Sequence, residues 1–138
     1  MSLVLDNSVT IASIYVEQTS AEVDRVLQAV SGAGAWVPAL WRLEVANILE
    51  MGVRRGRHDA KFRDATLRDL ALLPISIDQE TEEHAWGATL RLAERHRLTL
   101  YDAAYLELAK RRSLALATLD RELRSAAKAG KVALLGTA

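Results

Sequence analysis

The stretch Leu3-Val4-Leu5-Asp6-Asn7-Ser8-Val9 opens with three apolar residues in a row and stops on an acid. A half-exposed strand alternates apolar and polar side chains. An unbroken apolar run ended by a polar turn reads instead as a strand covered on both faces. Four further short runs punctuate the chain: Ala35-Trp36-Val37, Ile75-Ser76-Ile77, Leu114 to Thr118, and Val132 to Leu135. None alternates over a useful length, so the sheet they form has helices on both sides.

The segments between these runs carry helix punctuation. Thr19 and Glu22 read as a capping box, with Gly32 and Gly34 available to end that helix. Leu40 to Arg55 reads as an apolar helix closing near Gly56. Asp59 caps the next helix, which Pro74 follows. Asp78 is expected to cap a helix from Gln79 to His96. Thr99 and Asp102 form another capping box, opening a helix to about Arg112, and Asp120 caps Arg121 to Ala129 before Gly130. The predicted order is β-α-α-β-α-α-β-α-α-β-α-β. It implies one α/β domain over residues 1–138, a three-layer α/β/α fold with a mostly parallel sheet of about five strands.

Composition narrows the chemistry. The chain of 138 residues is half apolar, which excludes a disordered polymer and supplies a full core. It has no cysteine, so disulfides, thiolate zinc sites, iron–sulfur clusters and cysteine nucleophiles are excluded. Eighteen basic residues balance eighteen acidic ones, so no global basic field advertises nucleic acid. No apolar run is long enough to span a membrane. No basic leader precedes the first apolar run, so the cytoplasm is the expected compartment.

In parallel sheets, ligands bind beyond the carboxyl ends of the strands. Asp6 directly follows the first run, and Asp120 follows Leu114 to Leu119. Asp102 lies in the first turn of a helix, with Tyr105 and Leu106 on the same face. Glu44 shares a helical stripe with Leu40, Ile48 and Met51, beside Asn47. A carboxylate in such an apolar helix is costly unless it is paired or bound to metal. Taken singly, Asp6, Asp102 and Asp120 also read as helix caps, and Glu44 as the partner of a buried arginine. Taken together, acids at the ligand-binding edge of a sheet point to a metal site. Clustered carboxylates repel one another and raise a pKa unless a cation joins them. Oxygen ligands without cysteine suit Mg²⁺ or Mn²⁺, and such ions suit phosphate-ester hydrolysis. His58, His84 and His96 are scattered, which disfavours histidine acid–base chemistry.

Four segments carry a resemblance: LVLDNSV (Leu3 to Val9), WRLEVANIL (Trp41 to Leu49), LTLYDAAYLELA (Leu98 to Ala109) and LATLDREL (Leu116 to Leu123). In this order they resemble the signature segments of PIN-domain proteins, closest to the VapC-type toxins of bacterial toxin–antitoxin pairs. The resemblance covers essentially the whole chain. It implies that Asp6, Glu44, Asp102 and Asp120 are the metal-coordinating, catalytic acids, with Ser8, Asn47 and Thr118 in supporting positions. Asn7 stands where relatives often have a smaller residue, which leaves the acid in place. The resemblance also implies a Mg²⁺- or Mn²⁺-dependent endoribonuclease, a homodimer, an RNA substrate, a cognate antitoxin and no membrane partner.

Three basic stretches have two readings each. Arg54 to Arg63, Arg91 to Arg97 and Lys110 to Arg112 contact RNA phosphates, or they complement helix C-termini. Trp36, Trp41 and Trp86 stack bases or anchor a partner, although the contexts of Trp36 and Trp41 favour the core. Two competing functions were weighed. A haloacid-dehalogenase-like phosphatase also places an Asp after its first strand, but it needs Asp-x-Asp, and the third position here is Ser8. A non-catalytic α/β binding module would use the acids only as caps.

Overall fold

Each of the five short runs is a strand in the computed structural model, which describes residues 1–137. They are β1 (Leu3–Leu5), β2 (Ala35–Val37), β3 (Ile75–Ile77), β4 (Ala115–Ala117) and β5 (Leu134–Leu135). The order across the sheet is β3-β2-β1-β4-β5, and every pairing is parallel. The sheet is thus wholly rather than mostly parallel. Register is fixed at its centre by Leu3 opposite Ala115 and Val4 opposite Leu116. Helices cover both faces of the sheet, which is why its strands are apolar runs, and β1 is buried throughout.

The helices are α1 (Asn7–Ile14), α2 (Ala21–Ala33), α3 (Trp41–Arg54), α4 (Ala60–Ala71), α5 (Thr81–His84), α6 (Ala88–His96), α7 (Leu100–Arg112) and α8 (Arg121–Ala129). Right-handed crossovers send α1 to α4 to one face and α5 to α8 to the other. The packing agrees, with α1 against α2 and α3 on one side and α7 against α6 and α8 on the other. The chain reverses direction across the sheet between β3 and β4, so β1 and β4 flank the switch point where parallel sheets bind ligands.

Three punctuation readings are corrected. Ser20, not Thr19, caps α2, its hydroxyl accepting from Val23 N–H at 3.1 Å. Thr19 instead donates to Asp24. Both are good capping types, and the residue next to the helix wins. The single helix expected from Gln79 to His96 is two, α5 and α6, separated by Ala85, Trp86 and Gly87. Three helices therefore join β3 to β4 instead of two.

Asp78 caps no helix. It is 1 % exposed and takes a two-pronged ion pair from Arg111 at 2.7 and 3.2 Å. Arg111 also grips buried Glu107, Nε to Oε2 at 2.8 Å. Burial alone would raise the Asp78 carboxyl, but Arg111 and the Thr81 hydroxyl hold it below its ordinary value. The next residue, Arg112, lies over the Trp36 ring at 3.4 Å. Two of the three cations in the Lys110–Arg112 stretch are therefore structural. So are Arg54, Arg57 and Arg63, paired with Glu50, Glu17 and Glu50 with Asp64 respectively.

Candidate functional site

Asp6 sits where β1 ends and α1 begins, held by a bond from its own N–H to the Ala117 carbonyl of β4 at 3.0 Å. Its side chain is 2 % exposed. The Ser8 and Thr118 hydroxyls both donate to Oδ2, at 2.5 and 2.9 Å. The Ser8 hydroxyl also accepts from Leu119 N–H at 2.9 Å, and the Thr118 hydroxyl from Asp120 N–H at 3.1 Å. Asp120 accepts from Leu123 N–H at 2.8 Å and so caps α8 while standing beside Asp6. Ser8, Thr118, Asp6 and Asp120 are thus one hydrogen-bonded unit across the switch point.

The other oxygen of Asp6, Oδ1, is buried and has no hydrogen-bond partner among the described residues. An orphaned carboxylate oxygen is expensive. Burial pushes the Asp6 carboxyl up, the two hydroxyls oppose that, and the charge of Asp120 adds to it.

Glu44 and Asp102 approach from the helices. Glu44 is half-buried in the first turn of α3, and no cation pairs with it. Its partner is Tyr105 of α7, whose hydroxyl donates to Oε1 at 2.5 Å. The buried Glu–Arg pair allowed by the sequence is therefore absent. Burial, then the charges of Asp6 and Asp102, push the Glu44 carboxyl up to about 7 despite that bond. Asp102 lies at the start of α7, where Thr99 is the cap and accepts from Asp102 N–H at 3.1 Å. Burial and the charges of Asp6, Asp120 and Glu122 push its carboxyl up to about 6.

The four acids therefore share one field, and no cation offsets it. They stand apart, however: no three of them bring an oxygen each within 4.8 Å of one another. The one trio of metal-ligand types that tight among the described residues is Glu80, Glu83 and His84, on the surface of α5. Asn47 is exposed one turn along α3 from Glu44, with no side-chain hydrogen bond among the described residues. Tyr105 was not read from the sequence as a site residue. Its signal was its place on the face of α7 that carries Asp102, three residues earlier.

Beside the acids the surface turns apolar. A hollow is lined by Leu40, Leu43, Trp86, Leu100, Tyr101 and Ala104 among others. Trp86 is 92 % exposed, Leu43 76 % and Tyr101 64 %. Trp86 is the tryptophan left outside the core. Trp41 is buried and donates to Thr10 at 3.2 Å.

The chemistry is that of a partly buried, under-neutralised set of carboxylates around one buried oxygen. Hard divalent cations match that donor set, and the orphaned Asp6 oxygen is the atom that lacks a partner without one.

Comparison with known proteins agrees with this architecture. The family model for the PIN domain matches residues 3–129. Ribonuclease VapC3 of Pyrobaculum aerophilum is 33 % identical over 128 residues, which is 89 % of this chain and 92 % of the relative. The crystal structure of PAE2754 from Pyrobaculum aerophilum superposes with a TM-score of 0.70 and 27 % identity, covering 97 % of this chain and 83 % of that one. FitAcB from Neisseria gonorrhoeae shares the fold at TM-score 0.66 and 19 % identity, covering 97 % and 96 % of the two chains. VapBC2 from Rickettsia felis, crystallised with a DNA fragment from their promoter, does so at 0.64 and 11 %, covering 97 % of each.

Proposed function

This chain belongs to the PIN-domain family, and on that premise we propose that it is a Mg²⁺- or Mn²⁺-dependent endoribonuclease, the toxin of a toxin–antitoxin pair acting in the cytoplasm. The observation that carries the reading is the buried, partnerless Asp6 oxygen inside a field of acids that lacks a cation. The ribonuclease relative supplies the substrate class. In this reading Asp6, Glu44, Asp102 and Asp120 hold the metal. A divalent ion held there supplies charge neutralisation at a phosphodiester and a more acidic attacking water.

The chain's own residues do the rest. Ser8 and Thr118 spend their hydroxyls on one oxygen of Asp6 and leave the other for the ligand. Because Ser8 serves Asp6, it is no substitute for the second acid of a phosphatase. Asp120 is oriented by the first turn of α8, so its position is as rigid as that helix. Asn47, exposed beside Glu44, is suited to contact substrate. Arg91, Arg95 and Arg97 make no ion pair among the described residues, which leaves them free for RNA phosphates.

The test is cleavage of total RNA by the purified protein. Cleavage with Mn²⁺ and none with EDTA is expected. Cleavage unaffected by EDTA would overturn the metal reading.

The raised carboxyls make a second expectation. Glu44 moves from 4.5 to about 7 and Asp102 from 3.8 to about 6. Both bind a proton more tightly folded than unfolded. The metal-free protein therefore loses stability as pH rises through this window. Discounted for partial exposure, the loss is on the order of 1–2 kcal/mol, or about 4–8 °C in Tm. Thermal melts at pH 5 and pH 8 in EDTA should show that fall, and Mg²⁺ should reverse it at pH 8 only. A higher Tm at pH 8 than at pH 5 in EDTA would contradict it.

A homodimer and an antitoxin belong to the same proposal. The exposed Trp86, Leu43 and Tyr101 suit a second copy of the chain. Together they offer roughly 450 Å², over half of the roughly 800 Å² per partner in a standard interface. Trp86→Glu should convert a dimer into a monomer in sedimentation. A dimer that persists would place the interface elsewhere.

A further inference from the structure

We infer that Tyr105 is a positioning residue for the metal site, fixing Glu44 of α3 against α7, the helix that carries Asp102. This rests on the metal reading of the four acids given above.

Two observations carry it. Tyr105 is fully buried, so its ring cannot move without repacking the core. Its hydroxyl donates to Glu44 Oε1 at 2.5 Å across 61 residues of sequence. One phenol thus ties α3 to α7, the sources of two of the four acids. Without it, Glu44 has no hydrogen-bonding side chain to hold its carboxylate and is free to swing to solvent. Groups that orient a metal's ligands in this way are typically worth about 10–100-fold in affinity or activity.

The chain contains its own control. Tyr15 is also buried, and its hydroxyl bonds His58 Nε2 at 2.8 Å and none of the four acids. Tyr15→Phe and Tyr105→Phe delete the same atom. Each loses one hydrogen bond, so their stability costs are comparable.

The experiment is Mn²⁺ binding to the full chain, followed by the electron paramagnetic resonance of the free ion. We expect Tyr105→Phe to bind about 10–100-fold more weakly than wild type and Tyr15→Phe to bind as wild type does. Glu44→Gln should bind weakly, and adding Tyr105→Phe to it should change little, because the tyrosine acts through Glu44. Equal affinity of Tyr105→Phe and wild type overturns the assignment while leaving the metal reading intact. A full Tyr105→Phe loss on the Glu44→Gln background overturns it as well. A wild type that takes up no Mn²⁺ overturns the metal reading and this assignment with it. Should Tyr105→Phe fail to fold, ¹³Cζ-tyrosine NMR of the wild type decides. Mg²⁺ should shift the Tyr105 resonance and not that of Tyr15. An unmoved Tyr105 signal overturns the assignment.

Discussion

Asp102→Asn should abolish RNA cleavage while leaving the fold as stable as before or more so. The substitution keeps the shape of the side chain. It also keeps the helix cap, because the capping bond runs from the Asp102 backbone N–H to the Thr99 hydroxyl and does not use the carboxylate. What is lost is one negative charge from a field in which Asp6, Asp120 and Glu122 already oppose its ionisation. In the metal-free protein that loss relieves repulsion. In the metal-loaded protein it removes a ligand charge where preorganised electrostatics matter most, and a fall of at least about a hundredfold in kcat is expected. Cleavage of a labelled RNA in Mn²⁺, run beside thermal melts in EDTA, reads both halves. If activity survives, Asp102 is no ligand. If Tm in EDTA drops by many degrees, the acid is structural.

Arg111→Met should strongly destabilise the fold. Arg111 is the shared partner of two buried carboxylates, Asp78 and Glu107, and it binds both through short bonds. Methionine keeps most of the side-chain volume and none of the charge. Two acids are then left unpaired in the interior, and breaking a buried pair from one side costs about 3–5 kcal/mol. At this chain length that is about 10–20 °C in Tm. Urea unfolding should show a lower midpoint at unchanged slope. Adding Asp78→Asn and Glu107→Gln should recover much of the loss, because the penalty belongs to the orphaned charges. A Tm within a few degrees of wild type would show that water reaches the pair and screens it.

Much of this molecule was legible in the chain. The strands were, because a strand buried on both faces leaves an uninterrupted apolar run, and Leu3–Leu5 is such a run. Asp59 and Asp120 were legible as caps because capping is a local bond within three residues. Asp78 carries the same local signal and was misread. Its true partner, Arg111, is 33 residues away, and only the fold brings them together. The Glu44–Tyr105 bond escaped for the same reason. The apolar helix around Glu44 announced that its carboxylate needed a partner, but nothing local said which. The Lys110–Arg112 stretch shows the converse. It looked like a surface patch, while two of its cations are drawn inward by an acid pair and a tryptophan face.

The sheet order has a consequence for how the molecule comes into being. β1 lies at the centre of the sheet but is completed only by β4, whose residues are made more than a hundred positions later. The hydroxyl of Thr118 and the carboxylate of Asp120 arrive with it. Until then Asp6 has Ser8 but lacks Thr118 and Asp120, and β1 presents an open edge that invites mispairing. Folding dominated by such distant pairings is slow. A chain synthesised only as far as α7 therefore has an incomplete cleft: the capacity proposed for this protein would be acquired only once β4 and the turn after it are in place. A product truncated before β4 would lack Thr118 and Asp120.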